Sequence, residues 1–125
     1  MEKLAIIDMG SNSIRFVALQ IADNGAYSFM YQEKEPIRLG RGLSQTSLLR
    51  DKGMERAMTC LKVYKHMMDV GHIENCIAVA TAAVRNASNG DEFLRRINKE
   101  TGITMMQSPR PYRLLSFHFR PLPLL

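Results

Sequence analysis

The stretch IIDMGSNSIRFVAL, residues 6–19, decides how this chain is read. An apolar run meets Asp8, passes Gly10 and the small polar residues Ser11, Asn12 and Ser13, and resumes as a second apolar run. Two β-type runs joined by so short a polar link predict an antiparallel pair with a tight turn. Such a turn presents successive backbone N–H groups in a concave arrangement, a ready anion site. Gly10 lets the backbone approach an oxygen with no Cβ in the way. Ser11 and Asn12 add a hydroxyl and an amide, so the turn can donate hydrogen bonds without fixed charge. Asp8 cannot attract a phosphate; its carboxylate suits holding Mg²⁺ through water or orienting a water molecule. The same residues also suit a plain hairpin in which Asp8 and Asn12 hydrogen-bond the turn.

Working outward, residues 3–9 and 14–22 read as strands, rich in β-branched and apolar side chains. The turn signal DNG at 23–25 and the alternation in 26–32 add a third strand, making an antiparallel meander. Pro36, Gly40 and Gly42 then mark a loop. A helix is expected over 52–70, because Met54, Ala57, Met58, Leu61, Tyr64 and Met68 recur at three- and four-residue steps. Those methionines read as packing rather than a ligand groove. Gly71 is placed to stop the helix, and CIAVA at 76–80 reads as a buried strand. A second helix is expected over 90–100. Ser88 with Asp91, or Asn89 with Glu92, has capping-box spacing at its start. Gly102 ends it, and ITMMQ begins a further strand. The order β-β-β-α-β-α-β predicts an α/β domain with a mixed sheet.

The totals narrow the setting. At 125 residues the chain is one domain's worth, able to build a core without disulfides or metal. Cys60 and Cys76 are too few for a disulfide framework and read as small buried residues, which fits a reducing, cytoplasmic compartment. The opening apolar run is cut short by Asp8, so neither a signal peptide nor a membrane span is expected. His66, His72 and His118 lack metal-ligand spacing. The net charge is +5, yet 108–125 holds three arginines and no acid, and without it 14 basic residues face 12 acidic ones. Those basic residues are scattered, so no nucleic-acid surface is expected. The segment 108–125, SPRPYRLLSFHFRPLPLL, has four of the five prolines and neither a helical nor a strand period. It reads as an aberrant tail on a domain covering 1–107.

IIDMGSNSIRF resembles the first phosphate loop of the exopolyphosphatase/guanosine pentaphosphate phosphohydrolase family, within the actin-like ATPase superfamily. IRLGRGL resembles that family's segment before the first helix. AVATAAVRNASNG resembles its strand-and-loop signature at Ala80, Thr81, Ala83, Arg85, Ala87 and Asn89, and ETGI at 100–103 fits its lead into the next strand. The likeness covers residues 3–107. It implies a ribonuclease H-like fold, incomplete at its last strand, with polyphosphate or guanosine pentaphosphate as substrate and Mg²⁺ as cofactor. Asp8, Gly10, Ser11 and Asn12 would form the phosphate loop, with Asp8 reaching the metal through water. Arg85 would reach into the cleft, where a guanidinium can pair with phosphate oxygens; by itself it also reads as a surface arginine. Arg15 and Arg41 each read as solvated charge.

The same family would place a catalytic glutamate after ITMMQ and a second phosphate loop in a further domain. No acidic residue follows Glu100, so neither is expected here, and this chain alone is expected to be inactive. A non-catalytic phosphate-binding or assembly half-domain is the alternative. An unfinished sheet would also expose a strand edge, giving a route to self-association.

Overall fold

The computed structural model describes residues 2–107. The 108–125 segment lies outside the described residues. Three strands open the chain: β1 (Glu2–Met9), β2 (Ser13–Ile21) and β3 (Tyr27–Pro36). A short α1 (Leu43–Thr46) and the long α2 (Asp51–Val70) follow, then β4 (Asn75–Ala80), α3 (Ala82–Arg85), α4 (Gly90–Thr101) and β5 (Met105–Gln107). The five strands form one sheet in the order β3-β2-β1-β4-β5. The first three pair antiparallel, while β1, β4 and β5 pair parallel. This is the mixed α/β sheet expected from the alternation of strand and helix signals.

The strand period of two sorts the side chains onto two faces. Ala5, Ile7 and Met9 stand opposite Ala18, Phe16 and Ile14. All six are buried on the first face, in one cluster with Ala57, Met58, Leu61, Tyr64 and Met68 of α2 and Phe93 and Ile97 of α4. The Tyr64 ring stacks on Phe16 with centroids 4.6 Å apart. The methionine-bearing stripe of α2 is therefore core. Arg96 of α4 binds Glu55 of α2 and Glu100 of its own helix, each at 2.7 Å, and Lys62 reaches Glu100 at 3.1 Å. These bonds hold the Glu100 carboxyl below the usual carboxylate range and raise Arg96.

Several local expectations change. Residues 43–46 and 82–85, read as loop, each form a single helical turn. Pro36 ends β3 instead of opening the loop; β3 is an edge strand, where the missing N–H of proline costs no ladder bond. Asn89 does precede α4, but neither capping box forms, because no side chain caps that helix. Gly71 ends α2 in right-handed backbone, and His72 takes the left-handed conformation, φ 57°. Neither cysteine is the buried residue expected: Cys60 is half-buried, and Cys76, the second residue of β4, is exposed, two residues before the strand enters the core at Ala78.

Candidate phosphate-binding site

The turn between β1 and β2 is built by backbone bonds that fix its carbonyls. Gly10 N donates to Ser13 O at 2.9 Å, closing the turn. The Ser11 carbonyl accepts from Gly40 N at 2.9 Å, and the Asn12 carbonyl accepts from Ile37 N and Arg38 N at 2.8 and 3.0 Å. Met9 O accepts from both the amide and the hydroxyl of Thr81, at 3.0 and 3.2 Å. The turn is thus stitched on one side to the chain after β3 and on the other to the chain after β4. The amides of Ser11 and Asn12 make no backbone hydrogen bond among the described residues. Two successive donors without a backbone acceptor are the requirement of an anion nest.

Close approach explains the glycines. A Cβ on Gly10 would stand 3.3 Å from Ser13 O, and one on Gly40 only 3.1 Å from the Ser11 Cβ. Ser11 and Asn12 line a cavity of about 400 Å³, walled further by Gly40, Leu43, Ala82, Ala83 and Asn86. Arg38 and Arg41 supply its positive charge. Arg38 adopts left-handed backbone, φ 50°, a conformation uncommon outside glycine and one that clusters at functional sites.

Of the residues singled out from sequence, Ser11 and Asn12 line this cavity, with Gly10 behind them in the turn. Asp8 sits one residue from the end of β1, opposite Arg15 in β2 and beside Val79 in β4. It shares the second sheet face with Leu4 and Ile6 and is not among the lining residues of this cavity. Arg85 ends α3; its neighbour Asn86 lines the cavity and Arg85 does not. Arg38 was not singled out, although its segment was. Its signal is the spacing RLGRG, two arginines separated by a buried leucine and a glycine that must pack against the turn. Among the described residues no group of three or more His, Cys, Asp or Glu side chains could hold a metal. No helix among them is long and apolar enough to cross a membrane.

The sheet order, the tight turn at the end of its first strand and the basic cavity beside it define an α/β domain. The chain belongs to the Ppx/GppA phosphatase family, which it matches over residues 17–106. It is 32% identical over 97 residues to a putative exopolyphosphatase of Haemophilus influenzae, covering 78% of this chain and 30% of that protein. It is 35% identical over 98 residues to the guanosine-5'-triphosphate,3'-diphosphate pyrophosphatase of Aliivibrio fischeri, covering 78% of this chain and 20% of that one. Among solved structures, the Ppx/GppA family member of Aquifex aeolicus superposes with a TM-score of 0.84 at 31% identity, over 96% of this chain and 41% of that chain. The chain therefore spans under a third of the two curated relatives and about two-fifths of the solved one. It corresponds to a fragment of each, and the fold class expected from the resemblance holds.

Proposed function

We propose that residues 1–107 form the N-terminal domain of a phosphohydrolase that releases terminal phosphate from inorganic polyphosphate or guanosine pentaphosphate. The observation that carries this reading is the pair of Ser11 and Asn12 amides without backbone acceptors, beside a cavity edged by Arg38 and Arg41. Family membership and the names of the relatives support the reaction class. On this reading Gly10, Ser11 and Asn12 cradle the terminal phosphoryl oxygens, and Arg85 pairs with oxygens further along the substrate. Mg²⁺ commonly takes one or two carboxylates, with waters and substrate phosphates completing its shell. Asp8 is a carboxylate close to the turn, on the sheet face that does not line the cavity, so it would hold such an ion only through water. When bound, the ion would neutralise charge on the phosphates. Residues 101–125 contain no acid, so the base that activates water does not come from that stretch.

This last point favours a second reading, a binding half-domain without turnover. Titration with polyphosphate, run beside a phosphate-release assay, separates the two. The expected result is saturable binding that Arg85→Ala weakens about tenfold or more, since hydrogen bonds to charged groups are each worth about 1.5–3 kcal/mol. Binding without release supports the half-domain; Mg²⁺-dependent release by this chain alone supports a complete catalyst. Absence of any binding overturns both. The expected setting is cytoplasmic, consistent with two cysteines that are not disulfide-bonded.

A further inference from the structure

A second cavity, of about 410 Å³, lies next to the first and shares Arg38 and Arg41 with it. Its remaining walls include Arg50, Lys52 and Arg56, against the one carboxylate of Asp51. None of these five cations makes an ion pair among the described residues, whereas Lys62, Lys65 and Arg96 are each paired. The other acid nearby, Glu55, is engaged by Arg96 on α4. Lys52 and Arg56 stand four residues apart on α2, a like-charge spacing that opposes the helix. Arg50 is the N-cap of α2 and supplies no side-chain cap. Its guanidinium instead lies over Gly42, so closely that a Cβ there would stand 2.6 Å from it. A concentration of unpaired positive charge that costs helix stability, held in a preformed cavity, has the properties of an anion site.

The lining also restricts the class of anion. Apart from Gly53 every residue that borders the second cavity is charged, five of them cationic, so the lining matches a run of anionic groups and offers no apolar or aromatic surface to a base. A single phosphate would occupy the first cavity and leave the second empty. We propose that Arg38, Arg41, Arg50, Lys52 and Arg56 form a subsite for the body of a linear condensed phosphate whose end group occupies the Ser11–Asn12 turn. This proposal rests on the phosphate reading of that turn, and it favours inorganic polyphosphate over a nucleotide.

Titration calorimetry on the full chain tests it, with tripolyphosphate, a long polyphosphate and a single-stranded oligonucleotide of matched charge as probes. Lys52→Gln combined with Arg56→Gln removes two exposed charges and relieves their repulsion, so the fold is retained. The variant is expected to bind the long chain about tenfold more weakly, with a flatter dependence on salt, and tripolyphosphate within about twofold of the parent. The charge-retaining exchange Lys52→Arg with Arg56→Lys is expected to restore long-chain binding. Equal losses for both phosphates, or no loss for the long chain, overturn the subsite. An oligonucleotide that binds as tightly as polyphosphate overturns it too. If the parent binds only the long chain, and does so through Lys52 and Arg56, the subsite stands and the reading of the turn fails.

Discussion

Asn89 gives both ends of its amide to one distant residue. Its Oδ1 accepts from Leu49 N at 2.9 Å and its Nδ2 donates to Leu49 O at 3.2 Å, across 40 positions of sequence. Beside it, Ser88 N donates to Ser47 O at 2.8 Å. The segment after β4 is thereby fastened to the segment that leads into α2, next to the basic cavity. Gly90 allows the close crossing, since a Cβ there would collide with the Val84 carbonyl oxygen. Asn89→Ala leaves the Leu49 backbone groups without partners in a partly buried place. It is expected to lower the unfolding free energy by about 1–3 kcal/mol in urea denaturation. Asn89→Asp, which keeps the acceptor and loses the donor, should fall between. A change below about 0.5 kcal/mol in the alanine variant would show that water replaces both bonds freely.

At the scale of the elements, α2 contains the largest local anomaly. The Tyr64 ring is buried against Phe16, yet its hydroxyl has no hydrogen-bond partner among the described residues. The Cys60 thiol lies nearby without meeting hydrogen-bond geometry, and burial pushes the Tyr64 hydroxyl well above its ordinary pKa. Tyr64→Phe keeps the ring stack and removes the orphaned group. Thermal and urea unfolding should show stability unchanged or raised by up to about 1 kcal/mol. A loss of that size would mean the thiol is a real partner. Strong periodicity is what made these elements legible in sequence. The stripe from Met54 to Met68 marked α2, the turn at 23–25 separated β2 from β3, and Gly102, with φ 78°, marked the end of α4. The single-turn helices α1 and α3 were not legible, because four residues are too few to display a period. Asn89 was misread for another reason. Its type and position suit a cap, and only the fold brings Leu49 close enough to compete for its amide. The turn at 10–12 was found from its residue types, but the charge beside it, from Arg38, depends on a tertiary bond between Arg38 N and Asn12 O.

Over the whole molecule the sheet is covered unequally. Among the described residues all four helices contribute to the cluster on the first face, while the second carries half-buried Leu4, Ile6, Val17 and Ile77 around buried Leu19 and Val79, with Phe29 38% and Met106 55% exposed towards the edges. The two sheet edges also differ. β3 presents Gln32, Glu33, Lys34, Glu35 and Pro36, residues that discourage another strand from pairing. Among the described residues β5 presents Met105, Met106 and Gln107. A second copy of the chain is expected to pair along β5. Light scattering should then show concentration-dependent association, reduced by Met106→Lys; a strict monomer for both chains would refute it. The pairing pattern has one more consequence, in time rather than in space. The bond that closes the β1–β2 turn spans only Gly10 to Ser13, and Asn12 meets Ile37 and Arg38 after one further strand. The Thr81 hydroxyl reaches Met9 across 72 positions, a long loop that must close before the parallel seam can form. As the polypeptide leaves the ribosome, the turn and its first arginine can be assembled from the opening third of the chain. The wall from α3 arrives last, so the nascent protein possesses the turn and its free amides before it possesses the cavity around them.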